Sequence, residues 1–294
     1  RNSRTIRAQG GGTPTRQVTR PHGRLAVRGR DEEVGRVRPG QHRRWFTFVA
    51  TIVKPFLYAL TRHEWRGFDQ VPRQGGVLVV ANHVTVIDPF TLAHACYDGA
   101  RRLPRFLAKS ELFTVPVAGA LLRRAGQIPV YRRSREAANS LRDAETALGR
   151  GELVIIYPEG TCTRDPGGWP MASKTGVARL ALATDVPVIP VAHWGAQRIL
   201  GYRSKRVHLF PRKLVQAAAG APVDLSKYRG LEPTNDVLRE VTDLLMTRVK
   251  ELLGELRGET PPSGFYVSGS AVETSAAAET SAAVKGDTAE TGVA

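Results

Sequence analysis

Residues 77–90 of the chain read Val77-Leu78-Val79-Val80-Ala81-Asn82-His83-Val84-Thr85-Val86-Ile87-Asp88-Pro89-Phe90. The aliphatic and β-branched run at residues 77–80 predicts a short buried strand. Asp88 and Pro89 are typical of the start of a helix, which the following residues continue. In open α/β sheets, ligands bind at the edge where strands give way to helices. His83 is therefore predicted to lie at the edge of the sheet where a site forms.

The pair of His83 and Asp88 has two possible roles. Imidazole exchanges protons near neutral pH, and a carboxylate within reach orients the ring and stabilises its charged form. The pair can thus be a general base with its orienting acid. It can equally be a core histidine beside a carboxylate that only caps a helix, because structural groups also combine in this way.

Strand and helix patterns alternate through the centre of the chain. Further strands are predicted at residues 105–109, 126–131, 153–157, 188–192 and 206–210. Helices are predicted at residues 89–96, 118–122, 135–148, 174–183 and 235–256. The run at 153–157 has no polar alternation, as expected for a strand buried on both faces. The alternation predicts an α/β fold, with a mostly parallel sheet flanked by helices.

The flanks and the overall charge divide the chain into three parts. Residues 1–44 hold twelve Arg and three acidic residues, which predicts a disordered basic arm. Residues 259–294 are rich in Ala, Thr, Ser and Glu, which predicts a disordered acidic tail. The predicted domain at residues 45–258 is basic in a chain of net charge +16. This charge suits nucleic acid, anionic lipid or a phosphorylated substrate, although a bias toward Arg gives it without any partner.

Residues 45–66 predict an amphipathic helix. Its apolar run is about sixteen residues long, shorter than the ~20 that span a bilayer, and it contains Lys54 and Pro55. Arg residues bracket the run, and a polar stripe follows one side of it. We interpret the segment as a helix on the membrane surface. This predicts a peripheral or monotopic protein at the cytoplasmic face of the cell membrane; packing of the helix against the core is the alternative.

Further polar groups follow the predicted strands. Arg132 comes after the third strand, and Glu159, Gly160 and Thr161 come after the fourth. Because these strand ends share one edge, the groups are expected to share a pocket with His83. The chain shows no Gly-x-Ser-x-Gly elbow, no nucleotide-binding glycine motif and no candidate catalytic cysteine with its own histidine. The residues therefore predict attack by a substrate hydroxyl that a base assists, without a covalent enzyme intermediate.

Four segments in order resemble the motifs of the glycerolipid acyltransferase family, the 1-acylglycerol-3-phosphate acyltransferases. They are His83-x4-Asp88, Gly126 to Arg132, Tyr157-Pro158-Glu159-Gly160-Thr161 and Val186-Pro187-Val188-Ile189-Pro190. The resemblance covers roughly residues 45–256. It implies transfer of a fatty acyl group from acyl-CoA or acyl-carrier protein to the free hydroxyl of lysophosphatidic acid, giving phosphatidic acid. It implies membrane lipids as partners and no metal or redox cofactor.

The resemblance also implies roles for single residues. His83 would be the general base and Asp88 its orienter, and Arg132 would contact the acceptor phosphate. The other expected substrate-binding residues are Glu159, Gly160, Thr161, Arg164, Lys109 and Lys174. Alternatives remain: Arg132 as a solvated surface charge, Glu159 as a buried carboxylate that holds its loop, and the fourth motif as plain core.

The third motif departs from the family pattern at one position. The family reads Phe-Pro-Glu-Gly-Thr-Arg-Ser, whereas Cys162 stands here at the position of the Arg. A different lysophospholipid or a glycolipid is therefore an alternative acceptor for the same chemistry. A basic nucleic-acid-binding protein is a further alternative. It is disfavoured because an Arg-rich arm does not account for four ordered motifs, so no nucleic-acid partner is expected.

Overall fold

The structure is a computed structural model, and it describes residues 41–131, 136–202, 204 and 206–267. The strands are β1 (Thr61–Arg66), β2 (Val77–Ala81), β3 (Pro104–Lys109), β4 (Ile128–Val130), β5 (Leu153–Ile156), β6 (Val188–Trp194) and β7 (Lys213–Ala219). The helices are α1 (Gln41–Leu60), α2 (Asp88–Asp98), α3 (Pro116–Arg124), α4 (Glu136–Gly149), α5 (Gly176–Ala183) and α6 (Asn235–Arg257). The predicted alternation of strands and helices is present in this order.

The strands form a seven-stranded sheet in the order β1-β7-β6-β2-β5-β3-β4. All neighbouring strands are parallel except β6 and β7, which are antiparallel. β2 lies at the centre, where Val79 is level with Ile155 of β5 and Ile189 of β6. The prediction of an α/β fold with a mostly parallel sheet flanked by helices is confirmed.

The two faces of β2 pack into different clusters of the core. Leu78 and Val80 pack on the side of α4, α5 and α6, while Val77 and Val79 pack on the side of α2 with Leu92. Every residue of β2 is buried. Because helices cover both faces, an uninterrupted apolar strand is stable here, and its end has a fixed position for the turn that follows.

The sheet differs from the prediction in two places. Residues 206–210 form no strand, and β7 lies further along the chain, where its alanines fit between β1 and β6. Residues 61–66 form the edge strand β1 rather than the last turn of the predicted helix. β1 is a strand because β7 offers it a parallel partner, a contact that local sequence does not reveal.

Parts of the two flanks that were predicted to be disordered have a defined structure, and the other parts, residues 1–40 and 268–294, lie outside the described residues. Residues 41–44, predicted as part of the basic arm, belong to α1. Residues 259–267, predicted as part of the acidic tail, are packed on the domain. Lys250 donates to the carbonyl of Pro262 at 2.8 Å, and Ala172 donates its N–H to Tyr266 O at 2.9 Å. A buried ammonium group needs such acceptors, so α6 holds the segment that follows it.

Helix α1 contacts the domain on one side and exposes apolar residues on another. Lys54 Nζ lies 2.6 Å from Asp98 Oδ1 of α2, and Tyr58 donates to Asp98 Oδ2 at 2.6 Å. Phe48, Ile52 and Phe56, four residues apart, are exposed. None of the described helices is long and apolar enough to cross a membrane.

Candidate active site

The turn between β2 and α2 is built around one oxygen of Asp88. Asp88 Oδ2 accepts the N–H of Val84 at 2.6 Å and that of Thr85 at 2.8 Å, and it lies 2.9 Å from His83 Nδ1. Because a carboxylate oxygen only accepts, Nδ1 carries the proton and Nε2 is left as the acceptor. Asp88 is fully buried and is the first residue of α2. It therefore begins the helix and orients His83 at the same time.

The ring of His83 lies between an aromatic ring and a thiol. Tyr157 stacks on it with ring centroids 4.4 Å apart and an interplanar angle of 17°. Cys162 Sγ lies 3.5 Å from His83 Nε2. The sequence shows no candidate catalytic cysteine with its own histidine, yet folding places Cys162 beside His83. Burial raises the pKa of the Cys162 thiol to about 12, so at neutral pH the thiol is protonated and donates to Nε2.

Glu159 ties the loop after β5 to the turn after β2. Its Oε1 accepts the N–H of His83 at 2.9 Å, and its Oε2 accepts the N–H of Met171 at 3.1 Å. The side chain is buried, and burial raises its pKa to about 8. Thr163 donates its N–H to His83 O at 2.6 Å. These contacts favour the interpretation of Glu159 as a carboxylate that holds its loop over direct contact with substrate.

Gly160, Thr161 and Lys174 come together beside this loop. Gly160 has a φ of +69°, a conformation that glycine adopts without strain. A β-carbon at Gly160 would lie 3.3 Å from Lys174 Cε, so the Lys174 side chain passes directly over the glycine. Lys174 is exposed and Thr161 half-exposed. The structure therefore brings a cation to the loop, and the binding of substrate by Lys174 stays a prediction.

A cavity of about 640 Å³ lies next to the His83 turn. Its walls include the aliphatic Val84 and the polar or aromatic residues Thr163, Arg164, Trp194, Gln197 and Tyr202. Val84 directly follows His83 in the chain, and the N–H of Thr163 donates to the carbonyl oxygen of His83. The cavity therefore adjoins His83. Arg164, predicted to bind substrate, supplies a cationic side chain to this wall.

The remaining predicted residues stand apart from this group. Lys109 ends β3, two strands away from β2, and its Nζ lies 3.2 Å from Glu111. Arg132 lies outside the described residues, so its contact with an acceptor phosphate stays a prediction. In the fourth motif, Val188 and Ile189 are buried in β6, which agrees with the interpretation of this motif as core.

Sequence reasoning missed His193. This residue is near the end of β6, fully inside the protein, and its Nδ1 lies 3.7 Å from Asp88 Oδ1. A polar residue at the end of an apolar strand was a usable signal, since His83 stands at the same place after β2. The pairing of β6 with β2, which brings the two histidines together, was not visible locally.

Comparisons with known proteins show that the chain is similar to acyltransferases. Residues 62–194 match the family model Acyltransferase. The 1-acyl-sn-glycerol-3-phosphate acyltransferase of Bacillus subtilis is 27% identical over 191 residues, 64% of this chain and 86% of that protein. The enzyme of the same name from Borreliella burgdorferi is 33% identical over 128 residues, 42% of this chain and 48% of its own. An uncharacterized protein of Mycobacterium tuberculosis is 32% identical over 165 residues, 52% of this chain.

A solved structure supports the same class. The crystal structure of the 1-acyl-sn-glycerophosphate acyltransferase PlsC from Thermotoga maritima matches with a TM-score of 0.56 and 25% identity, over 75% of this chain and 81% of that one. The matched part of the present chain spans 44% of the length of the mycobacterial relative. Residues 62–194 thus resemble an acyltransferase domain. Over these matched residues the chain is similar to the 1-acyl-sn-glycerol-3-phosphate acyltransferases.

Replacing Glu159 by Gln tests the role of its carboxylate. The amide nitrogen of Gln cannot accept from a backbone N–H, so either the His83 or the Met171 donor loses its partner. We expect the free energy of unfolding to fall by about 1–3 kcal/mol in urea denaturation. Glu145→Gln, on the exposed face of α4, is the control and should leave stability unchanged.

The pH dependence of this difference is a second readout. A carboxyl whose pKa is raised by folding, here from an ordinary 4.5 to about 8, stabilises the protein most when protonated. Its contribution is present below about pH 4.5 and is lost as the pH rises to about 8. The stability gap between wild type and Glu159→Gln should therefore narrow from pH 5 to pH 8. If this difference in the free energy of unfolding instead grows from pH 5 to pH 8, the raised pKa of Glu159 is contradicted.

Proposed function

We propose that this protein is a 1-acylglycerol-3-phosphate O-acyltransferase. It transfers a fatty acyl group from acyl-CoA or acyl-carrier protein to the free hydroxyl of lysophosphatidic acid, and the product is phosphatidic acid. The observation that carries the proposal is the His83–Asp88 pair, with Nδ1 held by the carboxylate at 2.9 Å and Nε2 left as an acceptor. The names of the related enzymes from Bacillus subtilis and Borreliella burgdorferi support this choice of acceptor.

In the proposed reaction, His83 Nε2 takes the proton of the acceptor hydroxyl as its oxygen attacks the thioester carbonyl. Asp88 stabilises the imidazolium that forms. The tetrahedral intermediate collapses, the donor thiolate leaves, and the proton on Nε2 passes to that sulfur. In the resting protein Cys162 donates to Nε2, so the acceptor hydroxyl replaces the thiol as the donor. No electron transfer occurs in this scheme, which requires neither a metal nor a redox cofactor.

The acceptor headgroup is proposed to enter the cavity beside the His83 turn. Arg164 lines this cavity, and Lys174 lies over Gly160 at its loop. A guanidinium group binds phosphate through paired hydrogen bonds, and an ammonium group binds it as a compact charge. Thr161 and the proposed role of Arg132 complete this phosphate-binding group. Lys109, two strands away, is proposed to meet a headgroup at the protein surface instead.

The proposed location is the cytoplasmic face of the cell membrane. Phe48, Ile52 and Phe56 form an exposed apolar line on α1, and Arg44 is exposed at the start of the same helix. Apolar side chains with neighbouring Arg suit the boundary between headgroups and acyl chains. The proposed association is peripheral or monotopic.

An acyl-transfer assay with detergent-extracted protein tests the reaction. Labelled acyl-CoA is offered with lysophosphatidic acid, glycerol-3-phosphate and neutral lysolipids in parallel. We expect transfer to lysophosphatidic acid, loss of transfer in His83→Ala, and a rate at least a thousandfold lower in Asp88→Asn, because the amide disturbs both the orientation and the charge of the base. His208→Ala, an exposed histidine outside the site, is the matched control.

The outcomes of this assay separate the parts of the proposal. Substantial transfer by folded His83→Ala would remove His83 from the mechanism. If another acceptor is acylated and this transfer is lost in His83→Ala, the proposed mechanism is supported and the proposed acceptor is wrong. If no acceptor is acylated, acyl-carrier protein is tested as donor. Failure with both donors would reject the proposal that the protein is an acyltransferase.

A second candidate keeps the chemistry and changes the acceptor to another lysophospholipid or a glycolipid. The departure of Cys162 from the family motif favours it, because the residue lies next to His83 Nε2, where the acceptor must bind. If this candidate is correct, Cys162→Arg should raise the rate with lysophosphatidic acid about tenfold relative to the other acceptors, since a guanidinium is added for the phosphate.

The ratio of kcat/KM values for the competing acceptors is the measurement. Cys162→Ala is the control, because it removes the thiol without adding a charge. An acceptor ratio that is the same in wild type, Cys162→Ala and folded Cys162→Arg would show that position 162 does not select the acceptor.

Membrane association is tested by sedimentation with vesicles that contain anionic lipid. Each of Phe48→Ser and Phe56→Ser removes an exposed aromatic ring from α1 and should weaken binding about tenfold, because burial of such a ring contributes about 1.5–3 kcal/mol. Leu231→Ser, an exposed apolar residue near the start of α6, is the control. Equal binding by all variants would reject α1 as the membrane contact.

A further inference from the structure

His193 and Asn82 form a buried clamp directly before the His83 turn. The side chain of Asn82 donates to His193 O at 3.0 Å and accepts the N–H of His193 at 2.9 Å. His193 Nε2 lies 2.5 Å from Asn82 O. Both residues are buried, so these contacts are made without competition from solvent. The ring of His193 is therefore held in one orientation.

The clamp determines which nitrogen of His193 carries the proton. A carbonyl oxygen only accepts, so the hydrogen bond to Asn82 O places the proton on Nε2. Burial lowers the pKa of His193, which favours the neutral ring. A neutral ring protonated on Nε2 presents a lone pair at Nδ1. This lone pair is 3.7 Å from Asp88 Oδ1, beyond hydrogen-bond distance.

Asp88 Oδ1 is a buried carboxylate oxygen that accepts no hydrogen bond from the described part of the chain. The other oxygen, Oδ2, accepts from Val84 and Thr85 and contacts His83. Buried carboxylate oxygens are normally paired, so an unpaired oxygen beside a proposed base calls for an explanation. The imidazole of His193 is the nearby side chain that could donate to it, and the clamp turns a lone pair toward it instead.

The other titratable groups around this pair make no such bond. Tyr157 stacks on His83 and contacts His193 edge to face at 6.2 Å, and its hydroxyl has no partner in the described residues. Glu159 bonds the backbone of His83 and Met171, and Cys162 lies at His83 Nε2. His83 is thus the one side chain among these that contacts the Asp88 carboxylate within 3 Å.

We infer that His193 is a positioning residue that withholds a hydrogen bond from Asp88 Oδ1 and thereby strengthens His83 as a base. A donor on Oδ1 would draw charge away from the oxygen that faces His83, and the imidazolium would then be less stable. Without that donor, the negative charge of the carboxylate is shared only by His83 and the backbone N–H groups of Val84 and Thr85. The inference rests on the proposed function, in which His83 Nε2 takes the proton of the acceptor hydroxyl.

Two amide substitutions at position 193 separate the two contacts of the ring. In His193→Gln the longer side chain brings its amide N–H to the place of Nε2, so it keeps the bond to Asn82 O and offers no donor to Asp88. In His193→Asn the amide N–H stands near the place of Nδ1; without the bond to Asn82 O the shorter side chain is free to move, so that the amide closes the 3.7 Å gap and donates to Asp88 Oδ1. The two variants should therefore behave differently.

The first readout is the titration of His83 by nuclear magnetic resonance, without substrate. We expect the titration midpoint of His83 to be about one pH unit lower in His193→Asn than in wild type, because a donor on Asp88 Oδ1 weakens the stabilisation of the imidazolium by the carboxylate. His193→Gln should leave the midpoint unchanged. Equal midpoints in both folded variants, or a shift in His193→Gln, would overturn the inference.

The second readout is the pH profile of kcat/KM with lysophosphatidic acid. The acidic limb should move about one pH unit lower in His193→Asn with a plateau roughly tenfold lower, since a weaker base transfers protons more slowly, while His193→Gln should keep the wild-type profile. A merely structural role would lower the rate of both variants without moving the limb. If the wild-type protein acylates no acceptor, the proposed function is rejected. The titration of His83 still tests whether His193 affects the Asp88 carboxylate.

A measurement on the wild-type protein keeps the inference testable if His193→Asn does not fold. Nitrogen chemical shifts of His193 report which ring nitrogen is protonated. We expect a proton on Nε2 and a bare Nδ1 from pH 6 to pH 8. A proton on Nδ1 over this range would mean that His193 donates to Asp88, and the inference would be rejected.

Discussion

The hydrogen bonds received by Asp88 Oδ2 are the constraint on which the site depends. One buried oxygen accepts from Val84, Thr85 and His83, so the chain between β2 and α2 has to close into a tight turn. A buried carboxylate without these donors would cost several kcal/mol. The same contacts begin α2 and orient the imidazole. The turn is therefore at once a connection in the fold and the preorganised part of the site.

The sheet then brings other loops to this turn. β5 and β6 both lie parallel to β2, so the loops that follow them open at the same edge. Glu159 bonds the backbone of His83, which joins the loop after β5 to the turn. From α6, Arg257 stacks on Trp169 at 4.0 Å and on Trp194 at 4.4 Å, and so braces the wall of the adjoining cavity. The long C-terminal helix thus supports the site from a distance in sequence.

Patterns with a local cause were predictable. The apolar run of β2, the Asp88-Pro89 start of α2 and the amphipathic period of α6 depend on neighbours in sequence, and each element is found where its pattern placed it, although Asp88 is the first residue of α2 and does not cap it. The strand predicted at 206–210 fails because an apolar run becomes a strand only if an edge accepts it. β7 occupies that edge, where it pairs with both β1 and β6. Strand pairing between distant segments decides such cases.

The sequence by itself determined the α/β fold class, the closely spaced His83 and Asp88, and the resemblance to the glycerolipid acyltransferases, because each is written in residues near one another in the chain. Only the tertiary structure decided what surrounds the base. Cys162 reaches His83 from 79 residues away, and His193 reaches Asn82 from 111 residues away. Such contacts depend on the order of strands in the sheet. The spacing of residues along the chain does not specify that order. The contact of the Cys162 thiol with His83 Nε2 and the unpaired oxygen of Asp88 could therefore be found only in the folded structure.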